Sequence, residues 1–139
     1  MVDAGTPFQM WVERGKVREF NEACGVTGPT ADEVHPMFLV TAAFWQSADS
    51  LPPALRDREV VRQLHGEQEF RYPERLPRVG EEFTCTVSVE REFVKEGKRG
   101  GAMRFLVRLI EFVASDGTLV AQSRATIIQP TLQPGEDRA

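Results

Sequence analysis

Two histidines, two cysteines and one tyrosine leave this chain of 139 residues short of the side chains from which most catalytic and metal sites are built. Scattered as they are, the two His and two Cys do not give the ligand spacing of a zinc site, so no metal is expected. Cys24 and Cys85 offer a single possible pair, and a chain with 41% hydrophobic residues does not need it to fold. Both are read as free thiols of a reducing compartment. Positive charge is scarce too: 17 Lys and Arg stand against 21 Asp and Glu, a net charge of -4. That leaves no basic field to hold nucleic acid. No apolar run reaches the roughly 20 residues that span a bilayer, and the opening M-V-D-A-G-T-P-F lacks the charged start and apolar core of a secretion signal. A cytoplasmic protein, away from membranes, is the expectation. There is no G-x-S-x-G elbow, no Walker-type phosphate loop and no dinucleotide fingerprint.

What is present begins with Pro36 to Ala48, P-M-F-L-V-T-A-A-F-W-Q-S-A, in which ten of thirteen residues are apolar if Pro36 is counted. As a helix it would be about 20 Å long. Pro36 suits the first helical position, and Asp32 and Glu33 lie where a helix dipole favours negative charge. Met37, Phe38, Leu39, Val40, Phe44 and Trp45 leave no polar side, so the helix is expected to be buried nearly all round. A buried strand over Met37 to Thr41 is the alternative, since periodicity alone does not separate the two.

Ahead of this stretch, Phe8 to Val12 reads as a short strand. Val17, Phe20 and Cys24 then mark one stripe of an amphipathic helix over Lys16 to Cys24. G-V-T-G-P-T at 25 to 30 is a loop. Leu55 to Arg58 is a charged connection, and from Val60 to Gln129 the period falls to about two. In Leu64 to Tyr72, alternation puts Leu64, Gly66, Gln68, Phe70 and Tyr72 on one face and His65, Glu67, Glu69 and Arg71 on the other. Phe83, Cys85, Val87, Val89 and Phe93 mark a half-buried strand. After the loop K-E-G-K-R-G-G at 95 to 101, Met103, Phe105, Val107 and Leu109 form one face of a further strand. Its other face carries Arg104 and Arg108 but also Leu106, Ile110 and Phe112, which suggests cover by a partner. Ser115, Asp116 and Gly117 form a hairpin turn, and Leu119, Ala121, Ala125 and Ile127 point inward from the last strand. Residues 1 to 7 and 130 to 139 are expected to be flexible tails. One buried helix followed by long antiparallel strands is the pattern of a single α+β domain, a curved antiparallel sheet wrapped around a central apolar helix.

The run L-H-G-E-Q-E-F-R-Y at 64 to 72, the R-V-G-E turn at 78 to 81, the K-R-G-G loop at 98 to 101 and D-G-T-L-V-A-Q-S-R-A-T at 116 to 126 together resemble the MaoC-like hot-dog dehydratases. They are most similar to the N-terminal half-domain branch, which includes the non-catalytic subunit of a (3R)-hydroxyacyl-thioester dehydratase. The resemblance covers roughly residues 8 to 129. It implies a hot-dog fold, side-by-side pairing with another hot dog, and an acyl chain on coenzyme A or acyl carrier protein as substrate, with no cofactor.

That chemistry needs a base and an acid at adjacent carbons and a donor for the thioester oxygen. Catalytic members carry Gly-Asp-x-Asn-Pro-x-His and a later His-Gly whose backbone N-H serves the oxygen. Here the stretch reads Gly25, Val26, Thr27, Gly28, Pro29, Thr30, Ala31: the Asp position holds Val26 and the His position holds Ala31. The later pair is His35 and Pro36, and Pro36 has no N-H to give. The resemblance therefore implies an accessory subunit of an enoyl-thioester hydratase or 3-hydroxyacyl-thioester dehydratase in lipid, steroid or polyketide metabolism. A catalytic hot-dog partner, as heterodimer or dimer of heterodimers, would supply the Asp and His. The alternatives are a homodimeric hot dog that binds acyl thioesters without turnover, and a hot-dog thioesterase using Glu67 or another carboxylate.

Within that frame Phe38, Phe44, Trp45 and Gln68 are the candidate substrate-binding residues, while Lys95, Lys98 and Arg99 are candidates for the phosphates of the thioester carrier. His65 and Glu67 are the remaining acid-base candidates, at i and i+2 on a face turned from the helix. His35, just before a helix start, reads as a cap or packing residue.

Overall fold

The computed structural model describes residues 3–56, 63–99 and 101–130. Five antiparallel strands form one sheet in the order β1-β3-β4-β5-β2. They are β1 (Phe8–Trp11), β2 (Leu64–Arg71), β3 (Glu82–Glu96), β4 (Ala102–Ala114) and β5 (Leu119–Pro130), and the helix α1 (Arg14–Ala23) follows β1. Part of the expected connection at 55 to 58, the start of the period-two region at 60, and the tail at 131 to 139 lie outside the described residues. Residues 3 to 7, expected to be flexible, are held instead. Ala4 bridges Ser88, the Gly5 N-H donates to Val87 O at 2.9 Å, and the Thr6 N-H donates to Asp49 O at 2.8 Å.

Strand alternation sets the core where it is clean. Phe83, Cys85 and Val87 of β3 are fully buried, as are Ala121 and Ala125 of β5. Three bulges then change the faces that unbroken alternation assigns. The one between Phe112 and Val113 sets Leu119, expected to point inward, opposite Val113 on the outer face, with Val120 buried in its stead. Register shifts between Val89 and Arg91, so Phe93 pairs with Phe105 on the outer face and does not join Phe83 in the core. On β4 the core face is Leu106, Ile110 and Phe112, while Met103, Phe105, Val107 and Leu109 lie outside. Both faces of that strand are apolar, so periodicity had no means of choosing between them.

The apolar stretch after α1 departs furthest from expectation. It forms an eight-residue 3-10 helix, Phe38–Trp45, with Met37 as its N-cap and Pro36 outside it. Asp32 does not serve that helix start; its carboxylate takes a two-pronged bond from Arg18 of α1, at 2.5 and 3.3 Å. In a 3-10 helix residues three apart stack in rows. Leu39 and Ala42 of one row are buried with Phe38 against the sheet. Met37, Val40 and Phe44 stay 42%, 49% and 89% exposed, so the sheet covers one side of this helix rather than all of it. The chain then turns through Ala48–Ser50, where Ser47 and Ser50 cap one another, and reaches a short helix, α2 (Pro53–Arg56).

Candidate functional site

A groove of about 510 Å³ opens between α1 and the 3-10 helix, with Trp11 of β1 as its third wall. Its lining follows from local geometry. Phe38, Thr41 and Phe44 are three apart and form one row of the 3-10 helix, and all three face the groove. Phe20 comes from the same side of α1 as Val17, and Trp11 is the outward residue of a strand whose Phe8 and Met10 point into the core. Trp11 and Trp45 meet with ring centroids 5.3 Å apart at a tilt of 51°, and Phe20 sets its edge against Phe38 at 5.6 Å. The Thr41 hydroxyl is spent on Phe38 O at 2.8 Å. Charge is confined to Glu13, Lys16 and Glu19, of which Lys16 and Glu19 form an exposed pair at 3.4 Å. An aromatic trough with a charged rim suits an apolar chain carrying a polar head.

Beyond the end of α1, past the Ala23 wall of the groove, lies the segment Gly25 to Ala31. Asn21 of α1 is its anchor and is only 1% exposed. Its Nδ2 donates to Ala31 O at 2.8 Å and to Glu33 O at 2.7 Å, while its main-chain carbonyl accepts from the Val26 N-H at 2.8 Å. Sequence reasoning missed Asn21, although it follows Val17 at i+4 on the buried stripe, where Cys24 had been expected and is exposed instead. His35 caps: its Nδ1 accepts from the Met37 N-H at 3.0 Å, and its ring tilts against Phe20. The Tyr72 hydroxyl donates to Pro36 O, and burial pushes its pKa up to about 12.

Of the candidate substrate-binding residues, Phe38, Phe44 and Trp45 come together in the groove and Gln68 does not. Gln68 lies on β2, at the opposite edge of the sheet from β1, and donates to Ser123 Oγ at 2.8 Å. His65 and Glu67 are not a pair. The register slips between them, so His65 stands opposite Ile127 and Glu67 opposite Thr126. Opposed residues share a face, which puts His65 on the core side and Glu67 on the outer side. Both had been placed on one outer face, and Gly66 accounts for the change. A Cβ there would come within 2.9 Å of the Ile128 side chain, and glycine marks such bulges. Lys98 and Arg99 sit exposed at the tip of the β3–β4 hairpin, and Lys95 lies over the Phe93 and Phe105 rings. The β1 register ends on β3 at Cys85, and ten residues of strand separate it from Lys95, roughly 30 Å. The hairpin tip that carries these cations therefore stands at the far end of β3 from the groove. Among the described residues no group of three His, Cys, Asp or Glu side chains could hold a metal, and no helix is long and apolar enough to cross a membrane.

Comparison with known proteins gives a consistent result. The family model described as "FAS1-like, dehydratase domain region" matches residues 3–123. No curated protein matches the chain. Among solved structures, the truncated HadBC (3R-hydroxyacyl-ACP dehydratase) complex of Mycobacterium tuberculosis aligns at a TM-score of 0.62 and 18% identity, over 89% of this chain and 95% of that one. The ChsH1-ChsH2 complex of the same organism gives 0.65 and 16%, over 94% and 87%. The R-hydratase PhaJ1 of Pseudomonas aeruginosa gives 0.62 and 16%, over 100% and 90%. At these identities the structures establish the hot-dog fold, and two of the three are complexes of unlike subunits.

Proposed function

Because the chain belongs to the family of FAS1-like dehydratase regions, we propose that it is the accessory subunit of a (3R)-specific hydratase or dehydratase acting on acyl thioesters. The observation that carries this reading is the chemistry of the segment that follows α1. Dehydration of a 3-hydroxyacyl thioester removes a proton from the α-carbon, gives one to the departing β-hydroxyl, and leaves an enoyl thioester and water. Val26 and Ala31 can do neither, and Pro36 offers no N-H to the thioester oxygen. The segment is nonetheless well held, by Asn21 from α1 and by Tyr72 from the end of β2. A binding surface has been kept in order without the groups that move protons.

What this chain contributes is apolar lining. Trp11, Phe38, Phe44 and Trp45 would take the distal part of an acyl chain whose thioester is worked on by the Asp and His of a catalytic hot dog. Two surfaces suit such a partner. Among the described residues β2 is bonded to β5 alone, so the backbone of its other edge is open to a strand from another subunit. The exposed Met37 and Val40 adjoin Pro36, which Tyr72 ties to the end of that strand.

The test is reconstitution. The chain alone should not hydrate a trans-2-enoyl-coenzyme A, and a hot-dog chain carrying Asp and His should gain activity on long acyl chains when it is added. Hydration by the isolated chain that disappears in His65→Ala would overturn the reading.

A further inference from the structure

The outer face of the sheet, turned away from Leu106, Ala125 and Ile127, carries a pattern the groove does not use. Phe93, Phe105, Ile128 and Leu64 stand opposite one another across β3, β4, β5 and β2, forming one apolar row. Phe93 and Phe105 stack with centroids 4.9 Å apart and planes 7° from parallel, and Leu64 is 58% exposed. The next row is Arg91, Val107, Thr126 and Glu67. Its ends are of opposite charge. Arg91 lies 4.5 Å from the centre of the Phe93 ring and Lys95 is 5.4 Å from it, so the β3 margin is cationic. On the β3 margin Glu90 is already taken by Arg124 of β5 at 2.8 Å, and on the β2 margin Glu69 is shared between Arg124 and Arg71 at 3.7 and 3.8 Å. That leaves Arg91 and Lys95 at one end and Glu67 at the other as the charges without such a partner among the described residues. β4 between them, M-R-F-L-V-R-L-I-E-F, is apolar on both faces, the composition of a strand covered on both sides.

We infer that this face is self-complementary and binds a second copy of the chain, sheet on sheet, about a two-fold axis running along the strands between β4 and β5. That rotation lays each row on itself in reverse. Phe93 meets Leu64 of the second copy, Phe105 meets its Ile128, and Arg91 meets its Glu67, every contact occurring twice. An axis perpendicular to the strands would lay β3 on β3, with Arg91 and Lys95 against like charges. Aligned packing of two sheets about 10 Å apart is the ordinary arrangement for faces of this kind. The stack leaves the β2 edge open, so it forms with or without a catalytic partner and stands apart from the accessory-subunit reading.

Two experiments on the full chain test it. Sedimentation should give particles with two copies of the chain. Arg91→Glu should weaken the association about tenfold or more, since both symmetric pairs become repulsive, and adding Glu67→Arg should restore it. Particles with one copy at tens of micromolar, or a double variant no tighter than Arg91→Glu alone, would overturn the inference. Arg91→Cys with Glu67→Cys, in a Cys24→Ser background, reports the axis. Within one chain the two positions are about 14 Å apart, three strand spacings, too far for a disulfide. Mild oxidation should therefore give a covalent dimer, with each single cysteine variant running as a monomer. A double variant that stays monomeric, or dimers equally abundant in the single variants, would contradict the stated axis.

Discussion

Phe44 separates binding from folding. It is 89% exposed while lining the groove, whereas Phe38, in the same row of the 3-10 helix, is 1% exposed. Truncating Phe38 to Ala removes a core ring and should cost about 3 to 5 kcal/mol of stability. Truncating Phe44 to Ala removes a ring the folded chain scarcely buries, and the cost should stay within about 0.5 kcal/mol. Ligand binding reverses the order of interest. If a bound acyl chain covers about 100 Å² of the Phe44 ring, the loss is about 2.5 kcal/mol at about 25 cal/mol per Å², or roughly sixty-fold in affinity. The chain contains two tryptophans, Trp11 and Trp45, and both line the groove, so their fluorescence reports its occupancy directly. Titration with a long-chain acyl-coenzyme A should give a saturable signal that weakens by more than tenfold in Phe44→Ala, with the thermal midpoint unchanged. Equal affinity in the two proteins would refute the reasoning. So would a fall in stability as large as that of Phe38→Ala, because Phe44 would then be a core residue.

Asn21→Ala should cost about 1 to 3 kcal/mol, since it removes the two bonds by which a buried side chain holds the carbonyls of Ala31 and Glu33; denaturant melts measure it, and a cost below about 0.5 would mean that the segment is held elsewhere. Stability should also fall in alkali. Burial raises the Tyr72 hydroxyl and the Cys85 thiol to about 12 from ordinary values of 10 and 9. The unfolded chain therefore loses these protons first, and the stabilisation present below about pH 9 disappears as pH rises towards 12. Cys85→Ala and Tyr72→Phe, compared by denaturant midpoint against pH, should each flatten that decline. Tyr72→Phe should in addition loosen the start of the 3-10 helix, read as faster amide exchange at Phe38.

How much of this was written in the chain depends on what each element packs against. β3 was legible because one face meets the core and the other meets water, so Phe83, Cys85 and Val87 alternate with Glu82, Thr84 and Thr86. β4 was not legible, because Leu106 and Phe105 are equally apolar and only one of them faces this chain's own core. Bulges at Glu90 and Gly66 each added a residue and reversed the faces beyond them, which moved Phe93 outward and separated His65 from Glu67. The family resemblance rested on turns and loops such as R-V-G-E. That turn is real: Glu81 accepts both arms of the Arg75 guanidinium at 2.7 and 2.8 Å and the Arg78 N-H at 2.6 Å. Composition found the central helix but not its extent. Nothing in P-M-F-L-V-T-A-A-F-W states that one side will be left for something other than this sheet. Half of the groove was foreseeable, through Phe38, Phe44 and Trp45. Its other wall comes from α1 and β1, remote in sequence, and the one local sign was an outward Trp11 on a strand whose neighbours point inward.

The central claim is that this chain lines an acyl site whose proton chemistry belongs to another hot dog. The most direct measurement is gentle purification of the tagged chain from its native host, followed by identification of what accompanies it and assay of the complex for enoyl-thioester hydration. The account predicts a second small hot-dog chain bearing the Asp and His that Val26 and Ala31 replace here, with activity in the complex and none in the tagged chain alone. Recovery of this chain as its own sole companion, with or without activity, would contradict it.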